Sequence, residues 1–262
     1  MGDAHGEMQV LCSMGTFYDD LGNPEQTERV YLEAYEMVLR CGDRIREAGV
    51  LANLGLFYMV NGRFGESLRC SQAAIVCARK CGNVLGIAIA EGNLGNLYHE
   101  MGERGRARRY IEGAIVQCDL AEPFAAGAFR GSLALISAEE GDFETAAALF
   151  EQAEVQLRKT HAGELGKMLC KKGLVALLAH RPDDVEAHLA EAEQIGRDLG
   201  AGDRSELGLA IAHLTVSQRC PLRKSFIPSR RQSLHLGPVY LDMAAPRPDV
   251  FSWDDNRYEA AV

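Results

Sequence analysis

The pair of adjacent side chains in this sequence best suited to acid–base chemistry is His99 and Glu100. On a helix, neighbouring residues point about 100° apart, so these two groups could not easily act on one proton. The sequence also lacks a Ser-His-Asp order, a glycine-rich phosphate loop that follows a strand, and an HExxH motif. We therefore predict that the protein is not an enzyme and that it needs no cofactor.

The eight cysteines offer ligands for a metal or partners for disulfides, but their spacing favours neither. Cys77 and Cys81 lie four residues apart and share a helix face, without further histidines or cysteines converging on them. We interpret the cysteines as reduced thiols that pack as small apolar groups, and we predict no metal site. Reduced thiols and the lack of a secretory signal near the first residues predict a cytoplasmic protein.

Asparagines form the third set of candidates, because an amide both donates and accepts hydrogen bonds. Asn53 and Asn93 are 40 residues apart, and Asn96 lies three residues beyond Asn93 on the same side of a helix. Such amides can bind the backbone of an extended peptide without selecting its side chains. The alternative is that they bond across neighbouring helices and set how the helices stack.

Composition narrows the class of protein before any element is placed. The chain has 262 residues, 47% of them hydrophobic, which is enough apolar surface for a core. Its formal net charge of -9 argues against nucleic acid as the main partner. The most apolar stretch, 84–90, is far shorter than the roughly 20 residues that a membrane-spanning helix needs.

The elements that must position these candidates are repeats. Three related segments recur every 40 residues, at 14–18, 54–58 and 94–98. Each contains a glycine, and a second glycine follows seven residues later, at Gly22, Gly62 and Gly102. A fourth copy begins one residue early, at 133. In a fifth, degenerate copy His180 takes the place of the turn glycine and Pro182 follows in the turn.

Small and apolar residues also recur at 12, 16 and 19 positions after the first small residue of each unit. This spacing predicts two amphipathic helices per unit. The small residue of the first helix allows the second helix to approach closely, and the turn glycine ends the first helix in a left-handed conformation. Cys41 and Cys81 share one repeat position, which predicts that both pack at the end of a second helix.

This pattern resembles the tetratricopeptide repeat. Leu94, Gly95, Tyr98, Ala107 and Ala114 stand where that family places its characteristic residues. The longer unit and the Asn-Leu-Gly-Asn at 93–96 resemble the 40-residue-repeat type found in bacterial arrays and in animal spindle-orientation adaptors. The resemblance implies an all-α fold, a right-handed superhelix of about five helix-turn-helix repeats plus a capping helix, with an irregular C-terminal tail.

The predicted solenoid covers residues 8–218. Its repeats span about 8–47, 48–87, 88–125, 126–165 and 166–206, and its cap spans 207–218. No comparable capping helix precedes the first unit, which predicts that the array is a fragment or that it starts on a partner or on a lost domain. The segment 219–262 holds five of the eight prolines and predicts an irregular tail, or one whose residues 234–241 fold back on the solenoid.

In such arrays the first helices line a concave surface, which the resemblance implies is the binding face. We predict that a protein or peptide segment binds there, on residues drawn from four units: Asn53, Met59, Asn93, Asn96, His99, Glu100, Lys167 and Lys171. The acidic residues near this face, among them Asp19 and Glu139, favour a ligand with a basic segment. The alternative function is a sensory or regulatory module of a bacterial signalling or transcription-regulatory system. The sequence leaves the oligomeric state open.

Overall fold

The computed structural model describes residues 4–219, which fold into eleven α-helices without a strand among them. The helices are α1 Ala4–Asp20, α2 Pro24–Cys41, α3 Arg44–Val60, α4 Phe64–Lys80, α5 Val84–Glu100, α6 Arg104–Ala121, α7 Pro123–Glu139, α8 Phe143–Leu157, α9 Ala162–Leu178, α10 Pro182–Leu199 and α11 Glu206–Arg219. Each odd-numbered helix up to α9 packs on the helix that follows it, so five pairs form in chain order. The all-α prediction and the solenoid-like arrangement of helix pairs are confirmed.

The turn after every first helix contains a residue with a left-handed backbone, at the position that the aligned glycines predict. Four of these residues are glycines, and the fifth is His180 with φ of 55°, the one non-glycine residue at positive φ in the described chain. The next residue then donates its N–H to a carbonyl of the last helical turn, as Arg63 does to Tyr58 at 2.8 Å and Arg181 does to Ala176 at 2.9 Å. These bonds satisfy carbonyls that the helix end leaves unpaired.

Close approach within a pair depends on the small residue of its first helix. A Cβ on Gly95 would lie 2.6 Å from Cγ1 of Ile111 in α6, the residue 16 positions later. Gly15 faces Tyr31 and Gly55 faces Ser71 in the same way. The fifth pair differs, because Gly173 faces Leu214 of α11 rather than Leu189 of α10. At this position the cap helix α11 packs against α9, in addition to the second helix α10.

The two ends of the array meet. The Gly202 amide, in the segment between α10 and α11, donates to the Asp20 carbonyl at the end of α1, at 2.9 Å. A Cβ on Gly22 would lie 2.9 Å from the Arg204 amide nitrogen, and Leu209 of α11 belongs to the hydrophobic core of the first units. The array thus curves far enough to bring its first and last helices into contact, which the repeat pattern did not predict.

Several sequence-based details need correction. The first pair begins at residue 4 rather than 8, and Pro182 opens α10 rather than lying in the turn, since the first helical position needs no N–H donor. Cys41 is exposed, so the shared repeat position does not mean shared packing with Cys81.

The tail 220–262, with the predicted fold-back segment 234–241, lies outside the described residues. Within residues 4–219 we find no helix with the length and apolarity to cross a membrane.

Candidate functional site

One polar position repeats along the first helices and forms a row that we call the ladder: Asn53 on α3, Asn93 on α5, Ser132 on α7 and Lys171 on α9. Its members are 39 or 40 residues apart, so they occupy equivalent places in successive units. The Lys171 ammonium donates to the Ser132 hydroxyl at 2.7 Å, so these two members lie side by side. The ladder contains three of the residues predicted for binding, Asn53, Asn93 and Lys171, and that binding role stays a prediction.

The asparagine end of this face carries unsatisfied hydrogen-bonding groups. Asn53, Asn93 and Asn96 are all half-buried, with part of each residue open to solvent. Within residues 4–219 their side-chain amides make no hydrogen bond to protein, so the alternative in which they bond across helices is not what the structure has. Three amides on α3 and α5 thus keep both donors and acceptors for another molecule.

His99 is held by an ion pair between neighbouring units. Its Nε2 lies 3.1 Å from Oε2 of Glu139 on α7, and the Arg104 guanidinium donates to the same oxygen at 2.8 Å. Burial opposes the charged carboxylate, but the contacts with His99 and the Arg104 guanidinium hold the pKa of Glu139 below its ordinary value. Glu100 is half-buried next to His99 in sequence. The His99–Glu139 pair therefore joins α5 to α7 and fixes the wall beside the asparagines.

Lys167 belongs to a different place, the end junction, where α1 meets α9 and α11. We define the end junction by five charged residues: Asp19, Asp20, Glu164, Lys167 and Glu206. The Lys167 ammonium contacts Oε1 of Glu164 at 2.6 Å and Oε2 of Glu206 at 2.5 Å, and its side chain is only 12% exposed. Burial alone would lower its pKa, but these carboxylates raise it above the ordinary value, so the side chain stays charged.

Two of the predicted binding residues are thus misplaced. Lys167 is occupied by two carboxylates of its own chain and is not available to hold a ligand in the way the sequence suggested. Met59 is 8% exposed and packs in the hydrophobic core of the first units. Helix register alone put both on the binding face, but the curvature of the array decides which parts of that face remain open.

Sequence reasoning also missed two residues that shape this face, Arg104 and Glu206. Neither lies on a first helix of a repeat: Arg104 opens α6, and Glu206 opens α11. Arg104 completes the pair with Glu139, and Glu206 binds Lys167 across the end junction. No repeat position marks either residue, because both contacts depend on which helix ends the curved array brings together.

Asp19 is the group at the end junction whose titration falls near neutral pH. Burial raises its pKa most, the nearby carboxylates of Glu206 and Asp20 raise it further, and Lys167 partly opposes them, so that the pKa is about 7. The folded protein therefore binds this proton more tightly than the unfolded chain, in which the pKa is near the ordinary 3.8. The contribution of Asp19 to the free energy of unfolding must then fall as pH rises from about 4 to about 7.

We expect Asp19→Asn to raise the free energy of unfolding at pH 8 by about 1 kcal/mol, a value reduced for the solvent that reaches this half-buried group. The gain should shrink as the pH approaches 4, because the native carboxyl is then already protonated. Urea unfolding of both proteins between pH 4 and pH 8 measures the difference. A gain of equal size at every pH would contradict the assigned titration.

Residues 4–219 contain no group of three or more histidine, cysteine or acidic side chains placed to hold a metal ion. Of the seven cysteines in this range, Cys70, Cys77, Cys118 and Cys170 are buried free thiols. Burial raises the pKa of Cys77 to about 11, which keeps it protonated and unreactive at neutral pH.

Comparison with known proteins supports the fold. No protein-family model and no curated protein matches the sequence. A solved structure described as the crystal structure of BtubC (BKLC) from P. vanneervenii superposes with a TM-score of 0.55 at 16% sequence identity, covering 75% of this chain and 82% of that chain. At this identity the similarity shows a shared helical architecture alone.

Proposed function

We propose that this chain is a non-catalytic scaffold of the tetratricopeptide type, which binds an extended segment of another protein along the asparagine end of the ladder. The observation that carries the proposal is the set of three half-exposed amides, Asn53, Asn93 and Asn96, which make no hydrogen bond to protein within residues 4–219. An extended peptide presents alternating N–H and C=O groups, and amides that keep both donor and acceptor can pair with either.

The surroundings of the amides support binding without rearrangement. The His99–Glu139–Arg104 contacts tie α5 to α7 and α6, so the wall of the site is preformed. A preformed site avoids the entropy cost of ordering the receptor when the ligand arrives. The end junction limits the site at its other side, so the bound segment would cross α3, α5 and α7 rather than run the full length of the array.

Charge supports a ligand with a basic segment. The chain carries a net charge of -9, which attracts a cationic peptide at long range and raises its rate of association. The ladder's own cation, Lys171, lies on α9, away from the asparagines on α3 and α5. Two further cations would repel a basic ligand less than free ones, because the Lys167 ammonium is paired with two carboxylates and Arg104 is paired with Glu139.

The experiment selects ligands from a random-peptide phage library with the purified chain and measures each peptide by fluorescence anisotropy. We expect the double variant Asn93→Ala plus Asn96→Ala to weaken binding about 10- to 30-fold, because each lost hydrogen bond contributes about 1 kcal/mol. Both positions are helical, where alanine is favoured, so the fold should survive.

The matched control is Gln117→Ala, which removes an exposed amide from α6, a second helix of a pair. It should leave the peptide affinity unchanged. Selected peptides that bind the wild type and the double variant equally, with circular dichroism unchanged, would overturn the proposed site. Failure of the library to yield any binding peptide would count against the scaffold function itself.

A further inference from the structure

Helix α1 carries an exposed apolar row that the repeat architecture leaves uncovered. We call it the outer stripe: Val10, Met14 and Phe17 of α1 and Leu21 in the turn directly after it, which are 58%, 37%, 58% and 48% exposed. Large apolar side chains at this exposure are common singly, but a continuous row along one helix marks a surface for another molecule.

Equivalent positions in the next units show what normally covers such a row. Forty residues on, Val50, Leu54 and Phe57 of α3 are 1%, 0% and 4% exposed. In α5, Ala90, Leu94 and Leu97 are 1%, 2% and 0% exposed. The positions equivalent to Leu21 are Asn61, which is half-buried, and Met101, which is 42% exposed, so the difference between the units concerns the first three members. Each of these helices also contacts the second helix of the preceding pair, α3 with α2 and α5 with α4. Among residues 4–219 no helix covers the corresponding face of α1, so Val10, Met14 and Phe17 are exposed where their equivalents are buried.

The spacing of the stripe suits a second copy of itself. Its members are separated by four, three and four residues, the spacing at which side chains form the seam between two paired helices. The sequence of separations, four, three and four, is the same from either end of the stripe. When two α1 helices cross in an antiparallel arrangement about a twofold axis, Val10 meets the other copy's Leu21 and Met14 meets the other copy's Phe17. A twofold interface requires such self-complementarity.

Charge permits this pairing and selects its direction. Residues 8–18 contain no charged side chain, so two copies of a chain with net charge -9 can approach there without placing like charges in contact. Asp19 and Asp20 end the helix. A parallel pair would set these carboxylates beside their own copies, whereas an antiparallel pair separates them to opposite ends.

We propose that the outer stripe is a homodimer interface, in which α1 of one copy packs antiparallel against α1 of a second copy. Because one helix pair is a small interface, we expect a reversible dimer with a dissociation constant of roughly 10 μM. This inference uses none of the ladder residues, since the ladder begins at Asn53 on α3.

The first test measures the molar mass of the full 262-residue chain by sedimentation equilibrium and light scattering over a range of concentrations. We expect the wild type to shift from monomer to dimer, and Phe17→Glu to weaken the dimer about 100-fold or more. Leu120→Glu is the matched control, because Leu120 is 96% exposed on α6 away from the stripe and its replacement should leave the dimer intact.

The second test checks the register by mixing variants. Met14→Lys and Phe17→Glu should each be monomeric alone, but together they should form a heterodimer, because these positions face each other only in the antiparallel arrangement. A mixture of Met14→Lys with Met14→Glu should stay monomeric. A wild type that is monomeric at all concentrations, as when residues 220–262 cover the stripe, would overturn the proposal. So would a dimer that Phe17→Glu does not weaken, or rescue by the second mixture instead of the first.

Discussion

Replacing Lys167 with methionine is expected to lower the free energy of unfolding by about 3 kcal/mol at pH 8. The substitution removes the cation that contacts Glu164 and Glu206 and also offsets the charges of Asp19 and Asp20. The loss should be smaller at pH 5, because Asp19, whose pKa is about 7, is then already protonated and needs no counter-charge. Urea unfolding at both pH values measures the effect.

Lys172→Met supplies the control on the same helix. Its ammonium pairs with Glu154 at 2.9 Å, but both side chains are more than a quarter exposed, so the loss should stay below about 1 kcal/mol. Equal losses for the two variants would mean that the end junction adds nothing beyond an ordinary surface ion pair. Hydrogen exchange should also show faster opening of α1 in Lys167→Met alone, since that variant releases the contact between the two ends of the array.

Replacing Gly95 with leucine is expected to lower the free energy of unfolding by about 3 kcal/mol or more. Even a methyl group at this position would lie 2.6 Å from Ile111 Cγ1 and 3.2 Å from both the Ala107 carbonyl oxygen and the Ile111 nitrogen. Two of these contacts are with backbone, which cannot rotate away, so α5 and α6 would have to separate. Chemical denaturation monitored by circular dichroism measures the loss.

Gly113 provides the matched glycine, because it lies in the middle of α6 and a Cβ there would meet nothing within 4 Å. Gly113→Leu should therefore raise stability by about 0.5 to 1 kcal/mol through helix propensity alone. If leucine were tolerated equally at both positions, close approach of α5 and α6 at Gly95 would not be what holds this pair together.

The regular parts of the fold were predictable because they depend on contacts that are local in sequence. The turn glycines, with His180 in the fifth unit, end the first helices as the repeat alignment predicted. The small residue at Gly15, Gly55 and Gly95 accepts the residue 16 positions later in each of the first three pairs. Both features involve residues less than 20 apart, whose geometry the helix period determines.

The candidate site was predictable only in part. Helix register predicted that Asn53 and Asn93 share one face, and the Lys171–Ser132 bond shows that the ladder positions of the fourth and fifth units are neighbours. The same register also placed Met59 and Lys167 on that face, where the first is in the core and the second is held at the end junction. Register specifies the direction of a side chain from its own helix, but it carries no information about what approaches from another unit.

By itself, the sequence determined the helix pairs, their turns, the close packing inside each pair and the row of amides along the first helices. The tertiary structure alone decided that Asp19 meets Glu206 and Lys167, that Gly173 receives Leu214 of the cap, and that α1 keeps an uncovered apolar stripe. The physical reason is the accumulation of small rotations between neighbouring pairs. No single repeat encodes their sum, yet that sum brings the two ends together and leaves the first helix face without a neighbour.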